Sequence, residues 1–399
     1  MSTPTVIIVG GGVIGLSTAY HLARKQAGRV VVVEQDALGS GSSSRAAGIT
    51  NSLMWTETGT RARQIGVEWF RRLSDELDGY TYHNEHGCLN LFAGALPAEY
   101  QNLFTLYERL GAPSEVLDSQ EVRRRWPVLN PPEDAVALWD PQGGYSEPDE
   151  YIPALARKLT ELGVEVTEHE QVEEVLLRGG RVEGVRTQRQ LIQADAVVST
   201  VHSWSLPFWK PMGLCRPFKN FVHQRYVSGP RTEPLEYPPV NAHMYGGYIR
   251  PAKGNRILLG TETMDREEWK VESTDFRMTD VTPLATLRDE AVRLFKDFLP
   301  PLAEVGWESE HVGLIAFSAD GEPILGPIQG IPGFYVGTAF HSGGFSYNTV
   351  AGLLLAELVV DGQSSIDISG FSPDRFEQET TDDYLATTIL QREVALRRH

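Results

Sequence analysis

Three glycines near the start of the chain have a spacing that suits the binding of phosphate. They are Gly10, Gly12 and Gly15, in the pattern G-x-G-x-x-G. The first permits a tight turn, the second lets a pyrophosphate approach the backbone, and the third lets a helix pack closely on a strand. Glu34 follows about 20 residues later, where an acidic side chain binds a ribose hydroxyl. These residues predict a dinucleotide site, and the acid disfavours a nucleotide with a 2′-phosphate.

The elements around the glycines place them at the joint between a strand and a helix. The β-branched run "TVIIV" predicts a buried parallel strand, "LSTAYHLARKQ" predicts a helix, and "RVVVVE" predicts a second strand. The free N–H groups and the dipole of the helix N-terminus attract phosphate. From this βαβ unit we expect cofactor contacts at Gly10, Gly12, Val13, Ile14, Gly15, Glu34 and Gln35.

The stretch "GSGSSSRAAGIT", residues 39–50, consists mostly of small residues around a single cation, Arg45. Its composition is that of a linker, yet it follows the nucleotide motif almost directly. Small residues let a backbone press against a ligand, and their hydroxyl and N–H groups suit a pyrophosphate. An NAD domain would continue with short βα repeats, so this loop favours FAD, whose flavin ring must be covered. The contacts predicted here are Ser42, Ser43, Ser44, Arg45, Ala46, Ala47, Gly48 and Ile49.

A second glycine turn lies near the other end, in "GFYVGTAFHSGGFSYNTVAGLLLAELVVDG". A strand over residues 333–337 leads to a turn at Gly343 and Gly344, and a strongly apolar helix follows to Val360. The positive end of this helix suits the pyrimidine edge of a flavin, which gains negative charge on reduction. An ordinary packing helix is the structural alternative. The predicted flavin contacts are Gly343, Gly344, Phe345 and Ser346.

Taken together, the motifs resemble those of the FAD-dependent amine and amino-acid oxidoreductases. That family includes D-amino-acid oxidase, glycine oxidase, sarcosine oxidase and dimethylglycine dehydrogenase. The resemblance covers nearly the whole chain and rests on the order of "IIVGGGVIG", "VVVVEQ", "GSGSSSRAAGIT", "DAVVSTVHSWS", "GYIRP", "ADGEPILGP" and "HSGGFSYNTVAG".

The resemblance implies an α/β fold with two domains. A Rossmann-like FAD-binding domain is assembled from separated segments, and an antiparallel-sheet α+β substrate domain is inserted between them. Within the first domain, "VEEVLLRGGRVEGVRTQ" predicts a hairpin that turns at Gly179–Gly180. The expected bounds are 1–85, 146–213 and 311–365 for the FAD-binding domain, 86–145 and 214–310 for the substrate domain, and 366–399 for a C-terminal extension.

The resemblance also implies roles for residues beyond the glycine motifs. The strand near Val172 lends backbone groups to the adenine, and the strand "GYIRP" lies over the flavin face. Tyr248 and Arg250 alternate onto one side of that strand, where the arginine would hold a substrate carboxylate and the tyrosine would close the site. His341 would influence protonation of the amine. The alternatives are a surface arginine on a hairpin and a packed histidine.

Several positions depart from the family pattern. Arg45 stands where some relatives carry a histidine linked to FAD, and no cysteine lies near "ADGEPILG", so we expect FAD to be bound noncovalently. Ser346 and Asn51 replace a lysine and an arginine of the sarcosine oxidase pocket, which counts against sarcosine as substrate. His202 replaces part of a small glycine-containing turn, and we interpret it as structural.

Composition limits the remaining classes of function. The chain has 399 residues and a net charge of −17, so a nucleic-acid partner is not expected. Two cysteines and an N-terminus without a signal-peptide pattern indicate a cytoplasmic protein with no membrane span. No metal site is expected. The basic ending "LQREVALRRH" is interpreted as a solvated helix face.

The sequence therefore predicts an FAD-dependent oxidoreductase that oxidises the C–N bond of a small amino acid or N-substituted amino acid. Hydride transfer to flavin N5 gives an imine that hydrolyses, and oxygen or another acceptor reoxidises the flavin. Positioning of the α-carbon supplies most of the rate. Two alternatives remain open: a flavin-dependent 2-hydroxy-acid oxidoreductase, with His341 as base, and a flavin-binding subunit of a larger complex. The oligomeric state is not predicted.

Overall fold

The computed structural model of the chain describes residues 3–262, 264–284 and 286–394, apart from the side chains of residues 99 and 100. Helix ends follow local chemistry: the Thr56 hydroxyl accepts the Gly59 N–H at 3.0 Å, and Gly111 ends a helix at φ +64°. The α-helices are α1 (Val13–Arg24), α2 (Glu57–Glu76), α3 (Ala98–Leu110), α4 (Ser119–Arg125), α5 (Pro148–Glu161), α6 (Ser205–Trp209), α7 (Leu287–Phe295), α8 (Gly344–Val360) and α9 (Gln378–Ala386).

The strands of the described residues form two large and two small sheets. They are β1 (Thr5–Val9), β2 (Arg29–Val33), β3 (Ile49–Thr50), β4 (Tyr82–His83), β5 (Cys88–Ala93), β6 (Glu115–Asp118), β7 (Ala135–Asp140), β8 (Gly144–Ser146), β9 (Glu165–Thr167), β10 (Val172–Arg178), β11 (Arg181–Thr187), β12 (Leu191–Gln193), β13 (Ala196–Ser199), β14 (Phe218–Ser228), β15 (Val240–Ala242), β16 (Gly247–Ala252), β17 (Arg256–Thr261), β18 (Trp307–Ser318), β19 (Ile324–Pro327) and β20 (Phe334–Thr338).

The first large sheet has six strands in the order β19-β20-β13-β1-β2-β9. Strand β1 pairs in parallel with both β2 and β13, and β19 is the antiparallel edge. Successive residues of β1 are buried, with Ile7 and Ile8 both 0% exposed, because elements cover both faces of the sheet. The predicted strand–turn–helix–strand unit is confirmed.

Helix α8 begins at Gly344, as predicted, and packs along α1 and α2. Leu354, Leu355 and Ala356 follow one another and are all buried, so no long side of the helix faces water. The segment His341–Val360 is apolar and long enough, by length and composition, to cross a membrane, but 78% of its most apolar window is buried in the protein. This is the behaviour of a core helix.

The second large sheet has the order β18-β14-β17-β16-β15-β5-β7-β6 and is antiparallel except for the pair β15–β5. This sheet confirms the prediction that an antiparallel sheet accompanies the parallel one. The small sheet β10-β11-β12 contains the predicted hairpin. Gly179 and Gly180 have φ values of +58° and +80°, as its two-residue turn requires.

One domain boundary and the interpretation of the C-terminal residues differ from the sequence-based expectation. Strand β18 pairs with β14 along its whole length, so the boundary expected at 310/311 falls inside a strand of the antiparallel sheet. The end of the chain is not a solvated helix face as far as it is described. Gln391 and Val394 are 2% and 4% exposed, and Leu390 forms a β-bridge with Glu267. Residues 395–399 lie outside the described part.

The contact between α1 and α8 depends on a glycine. A Cβ at Gly352 would lie 2.5 Å from the backbone carbon of Ser17, so Gly352→Ala must push the two helices apart. We expect this substitution to lower the free energy of unfolding by about 1–3 kcal/mol, measured by urea denaturation. Gly306→Ala is the control, because a Cβ there meets nothing within 4 Å. Equal stability of the two variants would contradict the close packing.

Candidate functional site

A cavity of about 540 Å³ lies where the carboxyl ends of β1 and β2 face the antiparallel sheet. Residues that follow the parallel strands line one part of it, and residues of β14, β15 and β16 line another. The loop 39–50 and the turn before α8 lie between these two parts. The predicted motifs therefore meet in a single space.

The first glycine turn has the geometry expected of a phosphate-binding turn. Gly10 has φ +105°, which favours glycine, and its carbonyl oxygen occupies the place of a Cβ at Gly15. Gly10, Gly12, Val13 and Ile14 line the cavity, whereas Gly15 does not and serves the packing of α1. Helix α1 thus directs its N-terminus at the cavity, where the positive end of the helix dipole would face a phosphate.

The Glu34 carboxylate is held in place by the backbone. It accepts N–H groups from Gly11 at 2.7 Å and Asp36 at 2.9 Å. Burial raises the pKa of Glu34, and these two hydrogen bonds oppose the rise. Glu34 and Gln35 both line the cavity, so the acid is placed where a ribose would need it. Val172, at the start of β10, also lines it.

The loop 39–50 folds against the cavity and contains a 3-10 turn over Ser43–Arg45. The Ser43 hydroxyl accepts the Val13 N–H at 3.0 Å, which ties the loop to the start of α1. Ser42 donates to the carbonyl of Leu314 at 2.6 Å. Ser44 does not line the cavity, unlike the other predicted residues of this loop: Ser42, Ser43, Arg45, Ala46, Ala47, Gly48 and Ile49.

Arg45 lies at the cavity wall and is half-buried, and burial lowers its pKa. Its Nη1 group donates to the carbonyls of Ser40 and, at 2.7 Å, Gly41. Its aliphatic stem packs on Gly313, where a Cβ would clash. The guanidinium therefore lies over the loop that is predicted to surround the pyrophosphate.

The turn before α8 is only partly exposed to the cavity. His341, Gly344 and Phe345 line it, whereas Gly343 and Ser346 do not. The Ser346 hydroxyl instead donates to the carbonyl of Ile49 at 3.0 Å, so it joins α8 to the loop 39–50. His341 has φ +55°, and its Nε2 lies 3.0 Å from the Ser318 hydroxyl. This strained position holds the imidazole at the cavity wall.

His202 also reaches the cavity, with φ +45° and its Nε2 3.3 Å from the carbonyl of Leu314. Burial lowers its pKa to about 4, so the ring is neutral at physiological pH. Its hydrogen bond and burial agree with the structural role that we predict for it.

The antiparallel sheet contributes a polar surface that the sequence analysis missed except for Tyr248. We call it the sheet wall; its members are His223, Asn241, His243, Gly247, Tyr248 and Glu262. Tyr248 stacks on His223, and its hydroxyl lies 2.6 Å from His223 Nε2. The Tyr248 ring also covers Gly260, where a Cβ would clash with it. The consecutive polar residues in "FVHQRYV" were the available signal, although they do not reveal which strands become neighbours.

The position of Arg250 corrects its predicted role. Its side chain is 0% exposed, does not line the cavity and forms two 2.8 Å hydrogen bonds with the Glu147 carboxylate. Its Nε group donates to the carbonyl of Ala47 at 2.6 Å. Because its donor groups already bind protein atoms, the Arg250 guanidinium has no free pair of N–H groups with which to bind a substrate carboxylate. The alternation of side chains along β16 correctly predicts the side of the strand on which Arg250 lies. It does not reveal the buried partner, Glu147.

Residues 5–358 match the family model described as FAD dependent oxidoreductase. The chain belongs to this family. Its cofactor is accordingly FAD, and the glycine turn, the Glu34 carboxylate and the small-residue loop described above fit a dinucleotide of this kind. The cavity-lining residues that could hold FAD are Gly10, Gly12, Val13, Glu34, Gln35, Ser42, Ser43, Arg45 and Val172.

Relatives in the family act on small amines and amino acids by name. Human mitochondrial sarcosine dehydrogenase is 26% identical over 396 residues, which cover 96% of this chain and 42% of that protein. Sarcosine oxidase subunit beta of Arthrobacter sp. is 27% identical over 383 residues, covering 93% of this chain and 91% of that subunit. The chain thus spans less than half of the first relative.

The fold agrees with solved structures. The crystal structure of L-proline dehydrogenase from P. horikoshii superposes with a TM-score of 0.85, covering 95% of this chain and 99% of that one, at 24% identity. This likeness confirms the predicted combination of a parallel nucleotide-binding sheet with an antiparallel sheet.

The buried pair of Arg250 and Glu147 makes stability depend on pH. Burial would raise the pKa of Glu147, but the charge and hydrogen bonds of Arg250 lower it to about 2. Because the folded-state pKa lies below the ordinary 4.5, the pair stabilises the fold above pH 4.5 and this contribution is lost as the pH falls towards 2.

We expect Arg250→Met to lower the free energy of unfolding at pH 7 by about 3–5 kcal/mol, because it leaves a buried carboxylate without its partner. The double variant Arg250→Met/Glu147→Gln should recover most of the loss and lose the dependence on pH below 4.5. Urea denaturation between pH 3 and 7 measures both effects. An Arg250→Met variant as stable as the wild type would refute the pairing.

The position of Arg45 predicts a role in FAD retention. Since FAD is expected to be noncovalent, acid precipitation should leave a colourless protein pellet, and a dissociation constant can be measured by fluorescence. Arg45→Ala should raise that constant about tenfold, by removing a cation from the cavity wall. Arg72→Ala, on the exposed surface of α2, is the control and should change nothing. An unchanged dissociation constant for FAD in Arg45→Ala would show that Arg45 does not contribute to binding of the cofactor.

Proposed function

We propose that the protein oxidises the C–N bond of a small amine, as an amino acid or N-substituted amino acid. The observation that supports this most is the continuity of the cavity, in which the nucleotide-binding turn and the sheet wall enclose one space. A substrate held on the sheet wall would lie next to the part of the cavity that loop 39–50 and the turn before α8 surround. The names of the relatives support an amine as donor.

The reaction balances with FAD as the oxidant. FAD, when bound, accepts two electrons as a hydride equivalent. The substrate loses a C–H bond as hydride, the nitrogen lone pair forms the C=N bond, and water then cleaves the imine to an amine and a carbonyl compound. The amine must be neutral at that moment, so the protein has to bind it without keeping it protonated.

The histidines and tyrosine of the cavity suit this requirement. Burial, with a contribution from the charge of Arg225, lowers the pKa of His223 to about 4, so this imidazole is neutral at physiological pH. Burial also raises the pKa of Tyr248, which therefore keeps its proton. The two are joined by a 2.6 Å hydrogen bond and supply neutral donors and acceptors. We propose that they orient the amine, and that His341 lies close enough to affect its protonation.

The acceptor and surroundings of the enzyme are further parts of the proposal. Oxygen or another electron acceptor would reoxidise the flavin. Cys88 and Cys215 are both free thiols, which supports the proposed reducing, cytoplasmic location. Similarity to sarcosine oxidase subunit beta, over 91% of that subunit, supports a role as the flavin-binding subunit of a complex as the second candidate.

The FAD-loaded protein should be bleached under anaerobic conditions by at least one member of a panel of D-, L- and N-methyl amino acids and simple amines. Absorbance of the oxidised flavin measures this directly, and product carbonyl measures the C–N cleavage. 2-Hydroxy acids of matching carbon skeleton form the comparison set. Bleaching by a hydroxy acid and by none of the amines would replace the proposed function with alcohol oxidation.

A further inference from the structure

We propose that residues 387–394, which we call the C-terminal segment, bound the substrate space, and that Val394 sets the length of the hydrocarbon part of the substrate. This inference rests on the proposed function, because it names the part of the substrate that the same cavity accepts beside the sheet wall.

The face of β14 that carries His223 continues beyond the sheet wall. Phe221 lies two residues before His223, so the alternation of side chains places both on one face. Across the pair of β14 and β18, Phe221 lies opposite Ile315 and His223 lies opposite Gly313. Ile315 and Gly313 both line the cavity, so this is the face of the sheet that borders it.

The C-terminal segment covers this continuation of the face. Phe221 is 0% exposed and packs in one apolar cluster with Phe317 and Val394. Phe317 and Val394 line the cavity, whereas Phe221 does not. Val394, rather than Phe221, is therefore the residue that a ligand meets next to the sheet wall.

A buried cation fixes the C-terminal segment to the sheet. Lys219, on β14, is 3% exposed, and its ammonium group donates to the carbonyl of Thr387 at 2.7 Å and to the Glu268 carboxylate at 2.6 Å. The backbone of the segment also pairs with the chain beyond β17, where the Gln391 N–H donates to the carbonyl of Arg266 at 2.9 Å. These bonds hold the segment in one place, so its side chains form a fixed wall.

The space that Val394 bounds lies next to the turn before α8. The Phe317 ring meets the His341 imidazole edge to face, with 4.9 Å between the ring centroids. Phe317 also forms a β-bridge with Phe340, directly before that turn. Because the sequence predicts that this turn faces the flavin ring, a ligand between Val394 and His341 would lie beside the ring.

The residues at this end of the cavity favour a hydrocarbon group. Ile315, Phe317 and Val394 are apolar, and they adjoin the polar His223 and Tyr248 of the sheet wall. A substrate whose amine lies on the wall would extend its hydrocarbon part towards these three. Each methylene that enters such a site raises affinity about fourfold, until the chain reaches Val394 and a longer one would clash.

Two series of unreactive probes test the proposal: straight-chain carboxylates from acetate to octanoate, and alkyltrimethylammonium ions with the same tails. The head groups have opposite charges, so the comparison of tail lengths does not depend on which charge the sheet wall accepts. Calorimetry with the FAD-loaded protein gives the dissociation constant of each probe. In the wild type, affinity should rise about fourfold per methylene up to a limiting length and then fall.

Substitution of Val394 should move this limiting length. Val394→Ala should extend it by about one or two methylenes, and Val394→Phe should shorten it. The controls are Val116→Ala and Val116→Phe, because Val116 lies on β6 of the same sheet, is 47% exposed and does not line the cavity. Both controls should retain the wild-type profile. Val394→Leu replaces Val394→Phe if the larger ring prevents FAD binding.

The result for Val394→Ala decides the inference. A longer limiting length supports it even if no amine bleaches the flavin, because neither series of probes contains an amine lone pair; failure of bleaching would concern the proposed function alone. An identical profile in Val394→Ala and the wild type overturns the inference, and absence of binding by every probe counts as identity. A weaker affinity for FAD in Val394→Ala with an unchanged profile would place Val394 against the cofactor and would also overturn it.

Discussion

Two buried guanidinium groups of the antiparallel sheet hold the backbone of the small-residue loop. Arg225 donates to the carbonyls of Ser44 and Arg45, and Arg250 donates to that of Ala47. A loop of serine, alanine and glycine has few side chains with which to fix itself, and its conformational entropy would oppose a single shape. The arginines supply directional bonds in place of apolar packing, and Glu147 balances the charge of Arg250. The loop, the start of α1 and the antiparallel sheet therefore take one relative arrangement.

The parts of the site that the sequence predicts are those governed by neighbours in the chain. The turn at Gly10, the helix start at Val13 and the acid at Glu34 lie within one βαβ unit, so their spacing alone indicates their geometry. The same holds for the turn at Gly344 and the helix that follows. In both cases the backbone conformation restricts which residues can occupy the turn. A short-range sequence pattern is therefore enough to predict the geometry.

The parts that the sequence does not predict depend on partners far away in the chain. Arg250 looks like a ligand-binding residue by type and by strand alternation, but Glu147 is 103 positions away and occupies its donors. The sheet wall combines residues from β14, β15 and β16 with residues directly after β15 and β17, and only the strand order makes them one surface. Local patterns give the face of each strand but not which strands become neighbours, so the polar lining was found only from the fold.

The cavity is complete only when the described C-terminal residues have been synthesised. Gln391 and Val394 line the same cavity as Gly10. The segment that leads to them is held by Lys219, whose ammonium group donates to the carbonyl of Thr387 at 2.7 Å. During translation the nucleotide-binding turn leaves the ribosome well before this part of the cavity lining. A nascent chain can thus form the turn long before it can enclose a ligand. The cavity that both segments line is therefore complete only after translation has passed residue 394.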